Sequence, residues 1–516
     1  MKIYFKNTKY TEIYDLLVVN LSFKKMARVI VIGAGIAGLA AALRVRKLGH
    51  EVTVFEASDT AGGKIKSLSL NGYRFDKGPS LFTMPHLVTE LFELYNEKPA
   101  TYFNYAKQTT ACNYFWEDGI HFSAPANVVD FAKIASNVFN EPYTNIENYL
   151  NNSKLKYDAT APLFLEKSLH KASTYLNKKT LNALLALPKL HINKTLNDVN
   201  KASFKNKKLI QLFNRYATYN GSSPYQTPGI MSMIPHLELF YGTYFPKGGM
   251  KNIALSLYKL AVDKGVKFKF KTKVEKVLHH NKKIKGVQTK VGEHIADLVI
   301  SNADVFTFYQ KLLKDVEPPK RTLKQEVSSS AIIFYWGINK KIPKLDLHNI
   351  LFSENYQAEF ETLFNKKQVF KDPTIYINIS SKVQIDDAPK GCENWFVMVN
   401  TPGNFNQNWD STITETKKNV LQKINKMLGV NIEKHIVCEH ILDPVKIEQQ
   451  TGSSRGALYG ASSNSKYAAF LRHTNFSGKL KGLYFCGGSV HPGGGIPLCL
   501  WSAKITANLI EKEGYA

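Results

Sequence analysis

A chain of 516 residues is longer than one hydrophobic core usually serves, so two or more domains are expected, interleaved or strung in series. Its 44% hydrophobic and 21% charged content is that of a soluble globular protein, with an aromatic surplus of 26 Tyr and 30 Phe that suits an apolar ligand channel or an ordinary aromatic core. The formal charge of +26 comes from lysines spread along the chain without a compact basic run, which ranks nucleic acid last among partners and leaves an anionic membrane surface or compositional drift.

The first 25 residues hold a short apolar patch but no signal-peptide core with a small-residue cleavage site. Met26 stands just before a strong strand and is expected as the working start, with 1–26 an extension. Next comes ARVIVIGAGIAGLAAALRVRKLGHEVTVFEA. A β-branched run, Val29 to Ile32, leads into GxGxxG, then an Ala/Leu-rich helix, Gly49 as its stop, and a second strand from Glu51 to Phe55. This is a βαβ unit in which Gly33 makes the tight turn, Gly35 lets a pyrophosphate approach the helix N-terminus, and Gly38 lets helix and strand pack closely. Glu56 ends the second strand about 20 residues on, where an acid takes ribose hydroxyls and disfavours a 2′-phosphate.

The stretch ASDTAGGKIKS follows, with Gly62, Gly63 and Lys64 just beyond the acid. Together with Glu56 it resembles the large FAD family that includes amine oxidases, protoporphyrinogen oxidase and carotenoid desaturases. The resemblance implies that Gly62, Gly63 and Lys64 lie along the FAD phosphates.

From about 128 to 216 the spacing of Leu, Ala and Phe predicts helices. KKTLNALLALPKLHINKTL groups Leu181, Leu184, Leu185 and Leu187, bordered by Lys178, Lys179, Lys189 and Lys194. That pattern suits a helix seated in a bilayer interface or one packed on the core with solvated lysines. FPKGGM then breaks the chain before a helix beginning near Lys251, and HIADLVISNAD reads as a further strand. This block resembles bacterial carotenoid desaturases, and the resemblance implies that the backbone of Val274 meets the adenine. Alternating segments such as SAIIFYWGI and ENWFVMVNT suit a mixed sheet roofing a substrate cavity.

Near the end, GLYFCGGSVHPGGGIPLCLWSAKIT breaks a β-like run, Leu483 to Cys486, into five glycines around a His-Pro pair. By the resemblance, Gly487 and Gly488 let backbone pass the phosphates, Gly493, Gly494 and Gly495 allow close approach to the isoalloxazine, and Ile496 and Pro497 open a helix whose free N–H groups stabilise reduced flavin. His491 is the one side chain offered for catalysis, as a proton shuttle, although a His-Pro pair also shapes the turn. The five cysteines lie far apart without CxxC, so a disulfide framework or metal site is not expected and a reducing compartment fits.

Within the family, TGSSRGALYGASSNSKYAAFLRH and CGGSVHPGGGIPLCL are most similar to the bacterial 1-hydroxycarotenoid 3,4-desaturases, with phytoene desaturase the nearest alternative. The implied fold is α/β, a Rossmann-type FAD-binding domain with an interleaved mixed-sheet substrate domain and a helical membrane-facing lid. Its parts are 27–110, 240–304 and 476–516 for FAD, 111–127 and 305–475 for the substrate sheet, and 128–239 for the lid. The implied chemistry is hydride transfer from a C–H beside a polyene to FAD, with an apolar carotenoid as substrate, quinone or oxygen as electron acceptor, and a cytoplasmic location at a membrane surface. A flavin amine oxidase and a non-enzymatic prenyl-lipid chaperone are the rival readings.

Overall fold

A computed structural model describes residues 26–171, 174–175, 190–465, 467–468 and 472–514. Residues 1–25 of the expected 1–26 extension, and the helix expected around Leu181 to Leu187, lie outside the described residues.

The β-branched run near the start forms the strand Arg28–Ile32, buried on both faces from Val29 onward, which is the pattern of a parallel sheet covered by helices. It pairs in parallel with Glu51–Phe55 on one side and with Leu298–Ser301 on the other. The strands Lys267–Lys269 and Leu483–Phe485 complete a five-stranded parallel sheet in the order 483–485, 298–301, 28–32, 51–55, 267–269. Three distant regions of the chain therefore build one Rossmann-type layer. The helix Ile36–Lys47 is buried around most of its circumference, because it packs on the sheet and also against the C-terminal helix Ile496–Lys512. Its run of small residues, Ala40 to Ala42, permits that closeness, and Gly49 ends the turn at a φ of +98°.

A second, seven-stranded sheet is mixed, as the alternating segments predict. Its order is 436–442, 330–338, 393–401, 375–378, 348–351, 110–115, 121–125, antiparallel except where 348–351 meets 110–115. Ser330–Ile338 is central and wholly buried, pairing along nine positions with Glu393–Thr401. Helices Val128–Phe139, Tyr143–Phe164, Leu196–Ser203 and Lys207–Asn214 share an aromatic-rich core with the 110–125 edge of this sheet.

The FPKGGM turn has a specific cause. Arg74 is clamped between Asp76 and Asp387, and its guanidinium occupies the space that a side chain at position 249 would need. Asp76 also accepts from the Met250 amide at 3.0 Å, so one buried ion cluster fixes the start of the helix Lys251–Asp263. That helix feeds the strand 267–269 back into the parallel sheet.

Candidate active site

Two helix N-termini open into one cavity. Ile36–Lys47 begins after Gly35 and Ile496–Lys512 begins after Gly495; neither has a side-chain cap nor an acid in its first turn. Both therefore present unpaired N–H groups and the positive ends of their dipoles to the same space. The cavity is about 1550 Å³ and is lined at this end by the first glycine turn, the Gly62–Gly63–Lys64 loop, Val274 and the 488–499 turn.

The first turn is built as the spacing predicts. Gly33 has φ +96° and donates to the Phe55 carbonyl at 2.8 Å. A Cβ on Gly38 would collide with the Gly33 carbonyl, so helix and strand close together only because that atom is missing. Gly35 and Gly62 bridge the two loops, and a Cβ on Gly63 would lie 3.0 Å from the Gly35 Cα. The Glu56 carboxylate accepts from the Ala34 amide at 2.7 Å and from the Ser58 amide at 2.8 Å, which anchors it beside the turn.

Lys64 is open to the cavity yet enclosed by protein, and it donates to the carbonyls of Ala457 and Leu458 at 3.2 and 3.0 Å. Burial pulls its ammonium below the usual lysine range while Asp304 and Cys499 oppose that shift. It thus faces the C-terminal helix as well as the first loop. Val274 is buried at the cavity wall.

At the other end of the chain, Gly487 has φ +110° and receives a hydrogen-bond acceptor in Ser502 Oγ at 3.1 Å. Gly488 packs on the Gly494 backbone, and Gly494 packs on Tyr459, where a Cβ would fall 2.8 Å from the Tyr459 Cα. A Cβ on Gly493 would meet the buried Arg472 guanidinium carbon at 3.1 Å. Gly495, at φ +106°, is the member of this group that faces open space. Ile496 and Pro497 occupy the first helical turn, where the missing proline N–H costs nothing. His491 is 1% exposed, donates from Nε2 to the Lys167 carbonyl at 2.8 Å, and is pushed down to about 3 by burial, so it is a neutral imidazole tied to the backbone.

Two residues that sequence reading passed over join these parts. Asn302, just past the strand 298–301, places its carboxamide between both glycine turns: a Cβ on Gly35 would come 2.7 Å from Nδ2 and one on Gly487 would come 2.6 Å from Oδ1. Asn475 donates to the His491 carbonyl at 2.9 Å and to Ser502 Oγ at 3.1 Å, holding the C-terminal turn on its helix. A polar residue at the end of an apolar strand, as in VISNAD, was the available signal for Asn302.

Beyond these turns the cavity becomes apolar, walled by Phe164, Leu165, Ile230, Met233 and Leu237 from the helical region and by Ile333 and Phe396 from the large sheet. The two glycine turns, the uncapped helix ends and Glu56 border one cavity and fit an FAD molecule, with an acid at the end of the second strand where a ribose would lie. The apolar extension fits a long hydrocarbon laid against it.

Residues 36–510 match the family described as flavin containing amine oxidoreductase. The chain is 59% identical over 485 residues to a 1-hydroxycarotenoid 3,4-desaturase of Flavobacterium sp. (strain P99-3), covering 94% of this chain and 99% of that one. It is 29% identical to a 4,4'-diapolycopene oxygenase of Methylomonas sp, with 94% and 98% covered. Among solved structures it resembles a putrescine oxidase double mutant at TM-score 0.62 and 14% identity, over 94% of this chain and 99% of that one. A cyclohexylamine oxidase from Brevibacterium oxydans IH-35A matches at TM-score 0.60 and 14% identity, over 95% and 99%. The chain belongs to the flavin containing amine oxidoreductases, and its cofactor is FAD.

Proposed function

We propose that the protein is an FAD-dependent carotenoid desaturase that introduces the 3,4 double bond of a 1-hydroxycarotenoid. The observation that carries this reading is the continuous cavity, which runs from the paired glycine turns into an apolar channel. The 59% identity to the Flavobacterium desaturase over nearly the whole of both chains supports the substrate class.

When bound, FAD supplies the acceptor for a hydride leaving the C–H beside the polyene; the neighbouring proton is then lost and the new double bond forms. The chain's own residues position and exclude. Gly495 leaves the wall free of a side chain beside the helix start, Gly493 and Gly494 let the turn pack on Arg472 and Tyr459, and the uncapped N-terminus of Ile496–Lys512 would direct unpaired N–H groups at the charge that develops. The apolar walls hold a rigid rod in place and exclude water.

Supporting a membrane surface as the source of so insoluble a substrate, Leu155 and Phe240 are 63% and 51% exposed, and the Lys154 ammonium lies 5.8 Å from the Phe240 ring centre. Among the described residues no helix is long and apolar enough to cross a membrane. A peripheral, cytoplasmic location and a quinone or oxygen acceptor complete the proposal. A single GxGxxG turn in the sequence leaves no second dinucleotide to supply or remove electrons.

The test is anaerobic incubation of the yellow protein with phytoene, lycopene and a 1-hydroxylated carotenoid in liposomes. The hydroxylated substrate is expected to bleach the flavin and shift its own absorbance to longer wavelength. Bleaching by a soluble amine but by none of the carotenoids would overturn the reading.

A further inference from the structure

The second glycine turn rests on a buried cation that has no counter-ion. Arg472 is 4% exposed and stands on the cavity wall. Its guanidinium lies against Gly493: a Cβ there would fall 3.1 Å from Cζ, 3.3 Å from Nε and 3.5 Å from Nη1. Among the described residues its side chain makes one hydrogen bond, from Nη2 to the uncharged Ser463 Oγ at 3.3 Å, and Nη1 has no partner. The stretch SSNSKYAAFLRHTNFSGK around it contains no acid. The arginines enclosed elsewhere, Arg44, Arg74 and Arg215, each pair with a carboxylate. Burial pulls the Arg472 guanidinium down to about 10 with no carboxylate opposing the shift, so it stays charged at neutral pH.

A buried charge without a partner is costly until an anion meets it, and the place of Arg472 says which anion that is. Glu56 sits against Ala34 of the first turn, Gly35 and Gly487 share Asn302, Gly488 packs on Gly494, and Gly493 packs on Arg472. Arg472 therefore stands at the opposite end of this series of contacts from the ribose acid. A dinucleotide with one ribose at Glu56 and its pyrophosphate at the first turn extends its other half, the isoalloxazine, along the second turn toward Arg472 and the start of Ile496–Lys512. The charge is felt along that turn, because it adds to the burial that holds His491, two residues before Gly493, below the usual histidine range.

We propose that Arg472 is the fixed positive charge that stabilises the reduced flavin and so raises its power to accept a hydride. The hydride brings two electrons and one proton to flavin N5, leaving one negative charge shared by N1 and C2=O; the substrate is left one charge more positive and sheds a proton. Arg472 acts on the ring charge through the low-dielectric wall rather than by touching it, since its nitrogens are enclosed behind the turn. Glycine at 493 is what lets the guanidinium lie so close. The uncapped helix start adds a partial charge of the same sign. The inference rests on FAD as the cofactor and holds whichever substrate is oxidised.

The test is the two-electron potential of the bound flavin, measured by dye equilibration, together with its affinity for sulfite, whose adduct at N5 leaves the same negative charge on the ring. The wild type is expected to hold reduced FAD at least about 10-fold more tightly than oxidised FAD, which places its potential about 30 mV or more above that of free FAD in the same buffer. Arg472→Met should lower the potential by about 30 mV or more and weaken sulfite binding about 10-fold, while oxidised FAD is still held within about 3-fold of the wild type. Arg472→Lys, which keeps the charge, should restore most of both readings. Arg472→Gln repeats the measurement if the methionine variant fails to load flavin, with flavin absorbance and thermal melting reporting on the fold. A wild-type potential at or below that of free FAD, or wild-type potential and sulfite affinity in the uncharged variants, would overturn the proposal. Loss of oxidised-FAD affinity in every variant with no change in potential would overturn it too, and would assign Arg472 to the phosphates or to the shape of the turn. No carotenoid enters these measurements, so their failure leaves the desaturase reading standing.

Discussion

Single atoms decide whether the cofactor enters. Gly35 has a carboxamide nitrogen of Asn302 2.7 Å from where its Cβ would go and Gly63 beyond it. Gly35→Val is expected to purify without flavin, its absorbance near 450 nm relative to 280 nm falling at least 10-fold; a normally yellow variant would refute the assignment of this turn. Asn302→Leu keeps the volume but removes the polar group that lies between both glycine turns. It is expected to weaken FAD binding about 10-fold, worth about 1.4 kcal/mol, measured by fluorescence titration of the stripped protein. The tight turn at Gly33, the close packing at Gly38 and the place of Glu56 beside that turn were legible because their spacing within 24 residues carries the geometry. Asn302 was not, since it acts on Gly35 and Gly487, far away in the chain and brought near only by the folded sheet.

At the scale of elements, the βαβ unit, the GGM-led helix and the C-terminal strand and helix stand within a residue or two of where periodicity put them, whereas HIADLVISNAD, read as one strand, divides between Gly292–Ile295 of a small antiparallel sheet and Leu298–Ser301 of the parallel one. These elements have strong local signals: β-branched runs, a glycine stop, a proline in the first turn. The seven-stranded sheet was foreseen only as mixed, because the parallel pairing of 348–351 with 110–115 spans more than 230 residues and leaves no mark in either segment. The helix Ile36–Lys47 offers a test of close packing. Ala40 is fully buried in a core shared with the C-terminal helix, so Ala40→Leu should overpack it and cost roughly 1–3 kcal/mol, read from the urea midpoint of unfolding.

For the whole molecule, charge and burial set the conditions under which it survives. His348, His473 and His491 are each 1–3% exposed and held neutral, at about 3, 4 and 3, chiefly by burial. Their folded values lie below the ordinary value near 6.5, so stability is full above about pH 6.5. It falls as pH drops from there toward 4, because the unfolded chain takes protons that the folded one refuses. Each histidine should cost about 2 kcal/mol at pH 5. Thermal melting should therefore drop steeply between pH 7.5 and 5, with a shallower slope in His348→Gln; a flat profile would contradict the burial of these rings. The formal charge of +26 predicts co-sedimentation with anionic vesicles that weakens as salt rises, and absence of binding even at low salt would remove the membrane proposal.

The parallel sheet draws its strands from residues 28, 51, 267, 298 and 483 onward, and the last helix closes on the first. A ribosome therefore releases nearly every residue before the nest for the flavin exists at all. Nascent and prematurely terminated polypeptides must stay colourless however well their early segments fold, and a product ending at residue 475 should never turn yellow.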